Sequence, residues 1–268
     1  MQTSGEEIAY LAKLVCFGNA AVGGNQRASF ASGLWTRFVL VGKRSADGSL
    51  PTREFARDPD EWYAKILARR TVSLRLHHRF SGDPGVDETV VDSFASDGGR
   101  WRIEADLSDG SSDIWFPRWE SERETTDALE LGLIANVPAV PSLRVRLPTA
   151  FQELAAALHF IRDFAERKRL DEHADLFART FDALHGKRNP VPVREVAPVG
   201  SVPEAAIDIL RAVQLGWVFT GRRPWNDVRL DDQDVPEYER LTERYCRRLV
   251  AAVEAAANSS ANMPTETL

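Results

Sequence analysis

The hydrophobic pattern of this chain has a period of two in its first half and a helical period in its second. In "RWRIEADL", Trp101, Ile103, Ala105 and Leu107 fall on one side of an extended segment, and Arg100, Arg102, Glu104 and Asp106 on the other. Such alternation predicts an antiparallel strand with one face buried and one in water. "RTVSLRLHHRF" alternates in the same way, with Val72, Leu74, Leu76, His78 and Phe80 opposing Thr71, Ser73, Arg75, His77 and Arg79. Between them "ETVVDSFA" reads as a further strand of a β-meander, followed by the turn "SDGG". "SDGSS" then turns the chain into "DIWFPRW", where Pro117 stops pairing or marks an edge. Upstream, "LWTRFVLVG" is rich in β-branched and aromatic residues and ends at Gly42, so it is a strand.

Two helical pieces accompany these strands. "EEIAYLAKLV" places Ile8, Leu11, Leu14 and Val15 on one helical face, although a strand through "LAKLVCF" also fits. "DPDEWYAKILARR" carries a written-out start: Asp58 as cap, Pro59 in the first turn, and Glu61 three residues after the cap.

Beyond Asn136 the proline-studded "NVPAVPSLRVRLP" reads as an extended connector and sets the boundary between halves. Four amphipathic helices follow. Thr149 and Gln152 form a capping box for a stripe of Phe151, Leu154, Leu158, Ile161 and Ala165. Leu176, Phe177, Phe181 and Leu184 mark the second helix, which Gly186 stops. After "KRNPVPVREVAPVG", Ser201 and Glu204 box the start of the third, striped by Ile207, Leu210, Val213 and Trp217. Asp234, Pro236 and Glu237 start the last, with Tyr238, Leu241, Tyr245, Leu249 and Val253 in line. The expected fold is α+β. An N-terminal antiparallel β-meander sheet with one or two helices (residues 1–136) precedes a C-terminal four-helix region (137–258) and a flexible tail (259–268). The two halves can share one core.

Composition removes several classes. With 268 residues and 43% hydrophobic content the chain can bury a sizeable core. Its net charge of −6 argues against a nucleic-acid binder that relies on phosphate neutralisation. Two distant cysteines, Cys16 and Cys246, make no disulfide framework and suit a reducing compartment. The N-terminus lacks a basic signal-peptide region, and no apolar run approaches the roughly 20 residues needed to span a bilayer. A cytoplasmic protein without membrane partners is expected.

Chemistry is sparse. "GNAAVGGN", Gly18 to Asn25, has the glycine density of a phosphate loop but not its lysine and hydroxyl, so a mobile loop or hairpin is expected. Arg75, His77 and Arg79 form a cationic strip that pairing with Glu104 or Asp106 would neutralise. His159, Asp163 and Glu166, with Glu172, His173 and Asp175 following, share helical spacing but match no metal motif, so a solvated face with i,i+4 pairs is expected. No cofactor or metal is implied.

The most unusual stretch is "GWVFTGRRPWNDV", Gly216 to Val228. It can be read as punctuation. The helix must end before Pro224, with Gly221 at its C′ position, Arg222 and Arg223 at the negative end of its dipole, and Asn226 and Asp227 in an Asx-turn. It can also be read as an exposed recognition loop in which Trp217, Phe219, Arg222, Arg223, Trp225, Asn226 and Asp227 meet a protein partner. Trp217, Val218, Phe219, Gly221, Trp225, Asn226 and Asp227, with the final helix, resemble the C-terminus of an uncharacterised bacterial family ending in W-V-F-G-G-M-G-S-W-N-D. Thr220, Arg222, Arg223 and Pro224 depart from that pattern. The resemblance implies a shared structural unit over about the last fifth of the chain and carries no activity.

The functional expectation is therefore a non-enzymatic accessory or immunity-like bacterial protein that recognises a protein partner through the aromatic and arginine loop. The alternative is a hydrolase or transferase without a recognisable motif, using His77 or His78 in a cleft between sheet and helices.

Overall fold

A computed structural model of the chain describes residues 5–24, 30, 35–43, 45, 49–78, 86–95, 101–121, 127–139, 146–187, 196–219 and 224–262. The chain divides into two compact units. Among the described residues, one takes in 14–139 and the other 5–13 with 146–262. The fold is α+β, with the strands N-terminal and most helices C-terminal.

In the first unit six strands form one sheet: β1 (Trp35–Val41), β2 (Thr52–Ala56), β3 (Thr71–His78), β4 (Trp101–Leu107), β5 (Ser111–Ser121) and β6 (Asp127–Pro138). Their order is β2-β1-β6-β5-β4-β3. The sheet is not a pure antiparallel meander. β1 runs parallel to β6, with Phe38 opposite Leu131, while the other neighbours are antiparallel. β6 also extends the sheet into the stretch expected to be a connector. The alternation of Leu129, Leu131 and Leu133 against Glu130 and Gly132 is its signal.

The face carrying Ile103 and Ala105 is covered by the second half of helix α1 (Gly5–Val22) and by α2 (Pro59–Ala68). Asp58 caps α2 as its sequence predicts. The Glu61 N–H donates to its carboxylate at 2.8 Å, Pro59 occupies the first turn, and Glu61 accepts from the Arg57 N–H. This cap aims Trp62 at the sheet, where it stacks on Phe38 at 4.5 Å and meets Trp115 edge-on at 5.6 Å. The expected glycine loop Gly18–Asn25 is mostly the end of α1. A Cβ on Gly18 would lie 2.2 Å from Leu74 Cδ1, so helix and strand approach too closely for any side chain there. Gly24, at φ +86°, ends the helix, and Asn25 lies outside the described residues.

The opposite face is not simply wet. "ETVVDSF" is a helix, α3 (Glu88–Phe94), rather than a strand. Asp87 supplies the start, accepting from the Thr89 and Val90 N–H groups, and outweighs the β preference of the two valines. Val91 and Phe94, one helical turn apart, pack on Val39, Ile114 and Phe116. Gly132 makes room for this: a Cβ there would lie 2.5 Å from the Phe94 ring.

The second unit holds α4 (Leu147–Arg167), α5 (Asp171–Leu184), α6 (Glu204–Gly216) and α7 (Val235–Ser259), the four helices that the periodicity predicts. Leu154, Leu158, Ile161, Phe177, Leu184, Leu210, Val213, Leu241, Tyr245, Leu249 and Val253 are buried as their stripes imply. Neither expected capping box forms. α4 begins before Thr149, with Pro148 in its first turn and no side-chain cap. Ser201 Oγ instead donates to the Pro198 carbonyl, and Pro203 takes the cap position of α6. Helical order at the C-terminus extends to Asn262, into the stretch expected to be a tail. Phe80, Arg79, Arg100, the turn 96–99, residues 140–145 and 188–195 of the two proline-rich connectors and residues 263–268 lie outside the described residues.

Candidate functional site

The stretch singled out by sequence is folded around one buried side chain. α6 ends at Gly216, five residues before the expected stop at Gly221. The Tyr245 hydroxyl donates to the Gly216 carbonyl at 2.8 Å, taking an acceptor that the next helical turn would need. A Cβ on Gly216 would lie 2.5 Å from that hydroxyl, so only glycine permits the approach. Burial pushes the Tyr245 phenol up, well beyond the ordinary tyrosine range, so it is a fixed donor.

Trp225 is fully buried. Its indole N–H donates to Thr242 Oγ1 at 2.7 Å, its carbonyl accepts from the Tyr238 hydroxyl, and its backbone N–H donates to the Val218 carbonyl at 2.7 Å. His173, Phe177 and Tyr238 ring it at 5.1 to 5.2 Å, with Phe164 edge-on at 6.3 Å. It is therefore a core residue and not the exposed anchor of a recognition loop. Burial raises the pKa of Tyr238, and the nearby Asp227 charge adds to this. Trp217 and Phe219 are half-buried, in edge contact with each other at 5.6 Å. Asn226 and Asp227 are exposed in a short 3-10 turn closed by backbone bonds, where an Asx-turn was expected. Arg222 and Arg223, with Thr220 and Gly221, lie outside the described residues. The structure thus brings Trp217, Phe219 and Trp225 into an aromatic cluster and leaves Asn226 and Asp227 at the surface.

The second candidate lies on the α3 side of the sheet. Alternation along β3 puts His77 and His78 on opposite faces, so they do not converge on one cleft. His78 packs edge-on against Trp101, its register partner, at 4.8 Å. His77 Nε2 lies 3.2 Å from Glu104, which also has Arg102 at 3.7 Å. Next to them Arg75 pairs with Asp106 at 3.0 Å, and Asp106 accepts from Ser73 and Ser112. The expected pairing with Glu104 and Asp106 is in place for Arg75 and His77, while Arg79 lies outside the described residues. Burial, the largest single influence, pushes the Glu104 carboxyl up. The hydrogen bond and charge of His77, the charge of Arg102 and a hydrogen bond from Ser112 outweigh it and hold Glu104 below the ordinary carboxylate range.

Two buried acids escape the sequence pattern: Asp113, held by two Arg69 nitrogens and by Asn136, and Glu130. Glu130, almost fully buried, pairs with both Arg37 and Arg118, and Arg118 also lies over the Phe94 ring at 4.8 Å. Its signal was a lone acid within the apolar run "LELGLI". On α4 and α5, His159 pairs with Asp163 and Arg179 with Asp175 at i,i+4 spacing. Among the described residues no group of three or more His, Cys, Asp or Glu side chains could hold a metal ion, and no helix is long and apolar enough to cross a membrane. Compared with family models, curated proteins and solved structures, the chain matches none.

Chemically, the His77–Glu104 pair has the form of an oriented imidazole, a base held by a carboxylate. Around Trp225 the described titratable groups His173 and Tyr238 serve as ring contacts to the indole and, for Tyr238, as the donor to its carbonyl. What the stretch supplies is a pinned loop base: Val218 and Trp225, hydrogen-bonded to each other, bracket the two arginines.

Proposed function

We propose that this chain is a non-catalytic binding protein, of an accessory or immunity-like kind, that recognises a protein partner with the loop between Val218 and Trp225. The observation that carries the reading is the closure of that loop's base. The Trp225 N–H to Val218 carbonyl bond, with the indole locked among aromatic rings, fixes both ends of a segment bearing Arg222 and Arg223. A loop with fixed ends loses less entropy on binding, and arginine is enriched among residues that dominate interfaces. In this reading Trp225 acts from within, as the peg, while the arginines and the exposed Asn226 and Asp227 make contact. The partner surface would be acidic.

The test is capture from the native host after crosslinking, comparing the tagged chain with an Arg222→Ala/Arg223→Ala variant. One stoichiometric protein should be retained by the wild type and lost by a variant whose melting temperature is unchanged. Equal retention by both forms, or nothing retained by either, would remove the loop from consideration.

The His77–Glu104 geometry favours a second reading, an enzyme in which His77 is the acid–base group and Glu104 orients it. Turnover of acyl or phosphoryl ester substrates, abolished in His77→Gln, would establish it. A wild type inert towards both classes would leave the binding reading alone.

A further inference from the structure

Among the described residues β2 and β3 are the outer strands of the sheet, so each has one edge that no other strand of the sheet pairs. At β3 this edge is occupied from within. The Asn19 side-chain amide, projecting from α1, donates to the Leu74 carbonyl at 2.9 Å and accepts from the Leu74 N–H at 2.7 Å. Leu74 faces Ala105 of β4 in register, and both of its backbone groups are turned away from that neighbour. A carboxamide presents one donor and one acceptor side by side, as a peptide group on an added strand would. Asn19 is itself buried, at 6% exposure, and Gly18 beside it has given up its side chain so that the helix can come this close. At β2 the register slips between Phe38 and Val39, leaving Phe55 without a partner on β1, and the Phe55 carbonyl accepts from Lys65 of α2. Both outer strands therefore have a backbone group taken by a side chain from a covering helix.

We infer that Asn19 is a built-in block against strand addition, and that removing it turns the β3 edge into a site for self-association. Val72, two residues before the blocked position and 54% exposed, is the side chain that an incoming copy would cover first. The inference is independent of what the loop at Val218–Trp225 binds.

Size-exclusion chromatography with light scattering over a concentration series tests it, using wild type, Asn19→Ala and Asn19→Ala/Val72→Lys. The wild type stays at its lowest mass. Asn19→Ala shifts towards about twice that mass as concentration rises, and its Leu74 amide exchanges at least about tenfold faster. Val72→Lys, a charge on the edge, suppresses the shift without restoring the lost hydrogen bonds. An Asn19→Ala variant whose mass never changes overturns the inference. So does association that Val72→Lys leaves untouched, since that would come from unfolding. Should Asn19→Ala fail to fold, the wild type decides alone. A peptide copying residues 71–78 should not protect β3 from hydrogen exchange, and protection confined to that strand would overturn the block.

Discussion

At the residue scale, Trp225 reverses the meaning of the stretch in which it sits. Tryptophan beside two arginines looks like a hot spot, yet three hydrogen bonds and an aromatic ring of neighbours hold it in the core. Trp225→Ala should therefore cost about 3–5 kcal/mol of stability, read from denaturant midpoints at fixed slope. Glu104 carries a prediction of the same scale. Its pKa is lower in the folded state than unfolded, so it adds stability above the unfolded carboxylate range and loses it as pH falls through the folded value. The stability gap between wild type and Glu104→Gln should accordingly be widest above about pH 5 and close progressively below about pH 4. A gap that is flat from neutral to acid pH would show that the His77–Glu104 pair contributes nothing to the folded state. The pairing of His77 with Glu104 was legible from the alternation of the two strands; the seating of Trp225 was not, because Thr242, Tyr238 and Val218 lie far along the chain or across a turn from it.

Elements were legible where local signals agreed. α2 has a cap, a first-turn proline and an apolar stripe, and it forms as written. β4 shows its alternation, and α5 and α7 form with Phe177, Leu184, Leu241, Tyr245, Leu249 and Val253 buried and Leu176, Phe181 and Tyr238 half-buried. Where signals conflicted the reading failed. Asp87 and the spacing of Val91 and Phe94 specify α3, but the adjacent valines and the flanking strands suggested a meander. α6 stops where Tyr245 takes a carbonyl, a tertiary event that no local residue announces. The parallel pairing of β1 with β6 joins segments separated by most of the unit, and neither strand's pattern encodes its neighbour. Gly132→Ala tests the packing of α3: with the Phe94 ring 2.5 Å from the new methyl, it should cost about 1–3 kcal/mol. The amides of Val91–Ala95 should lose hydrogen-exchange protection before those of β4. Asp87→Ala should weaken the same helix by about 1 kcal/mol.

For the molecule as a whole, charge and ion pairing bound its partners more firmly than any motif does. The net charge is −6, and Arg75, His77 and Arg102 are engaged by Glu104 and Asp106, as Arg37 and Arg118 are by Glu130. Duplex DNA or RNA should show no measurable retention even at about 50 mM salt, where phosphate neutralisation is strongest; a gel shift at that salt that vanishes on raising it would contradict this. The closed base at Val218 and Trp225 has one more consequence, for engineering. Because the Trp225 N–H to Val218 carbonyl bond closes the chain at those two residues, residues inserted between them should cost about the slow logarithmic entropy of a longer closed segment. An epitope or a short peptide ligand spliced in there would be tethered to a backbone pair that the buried Trp225 indole already holds in place.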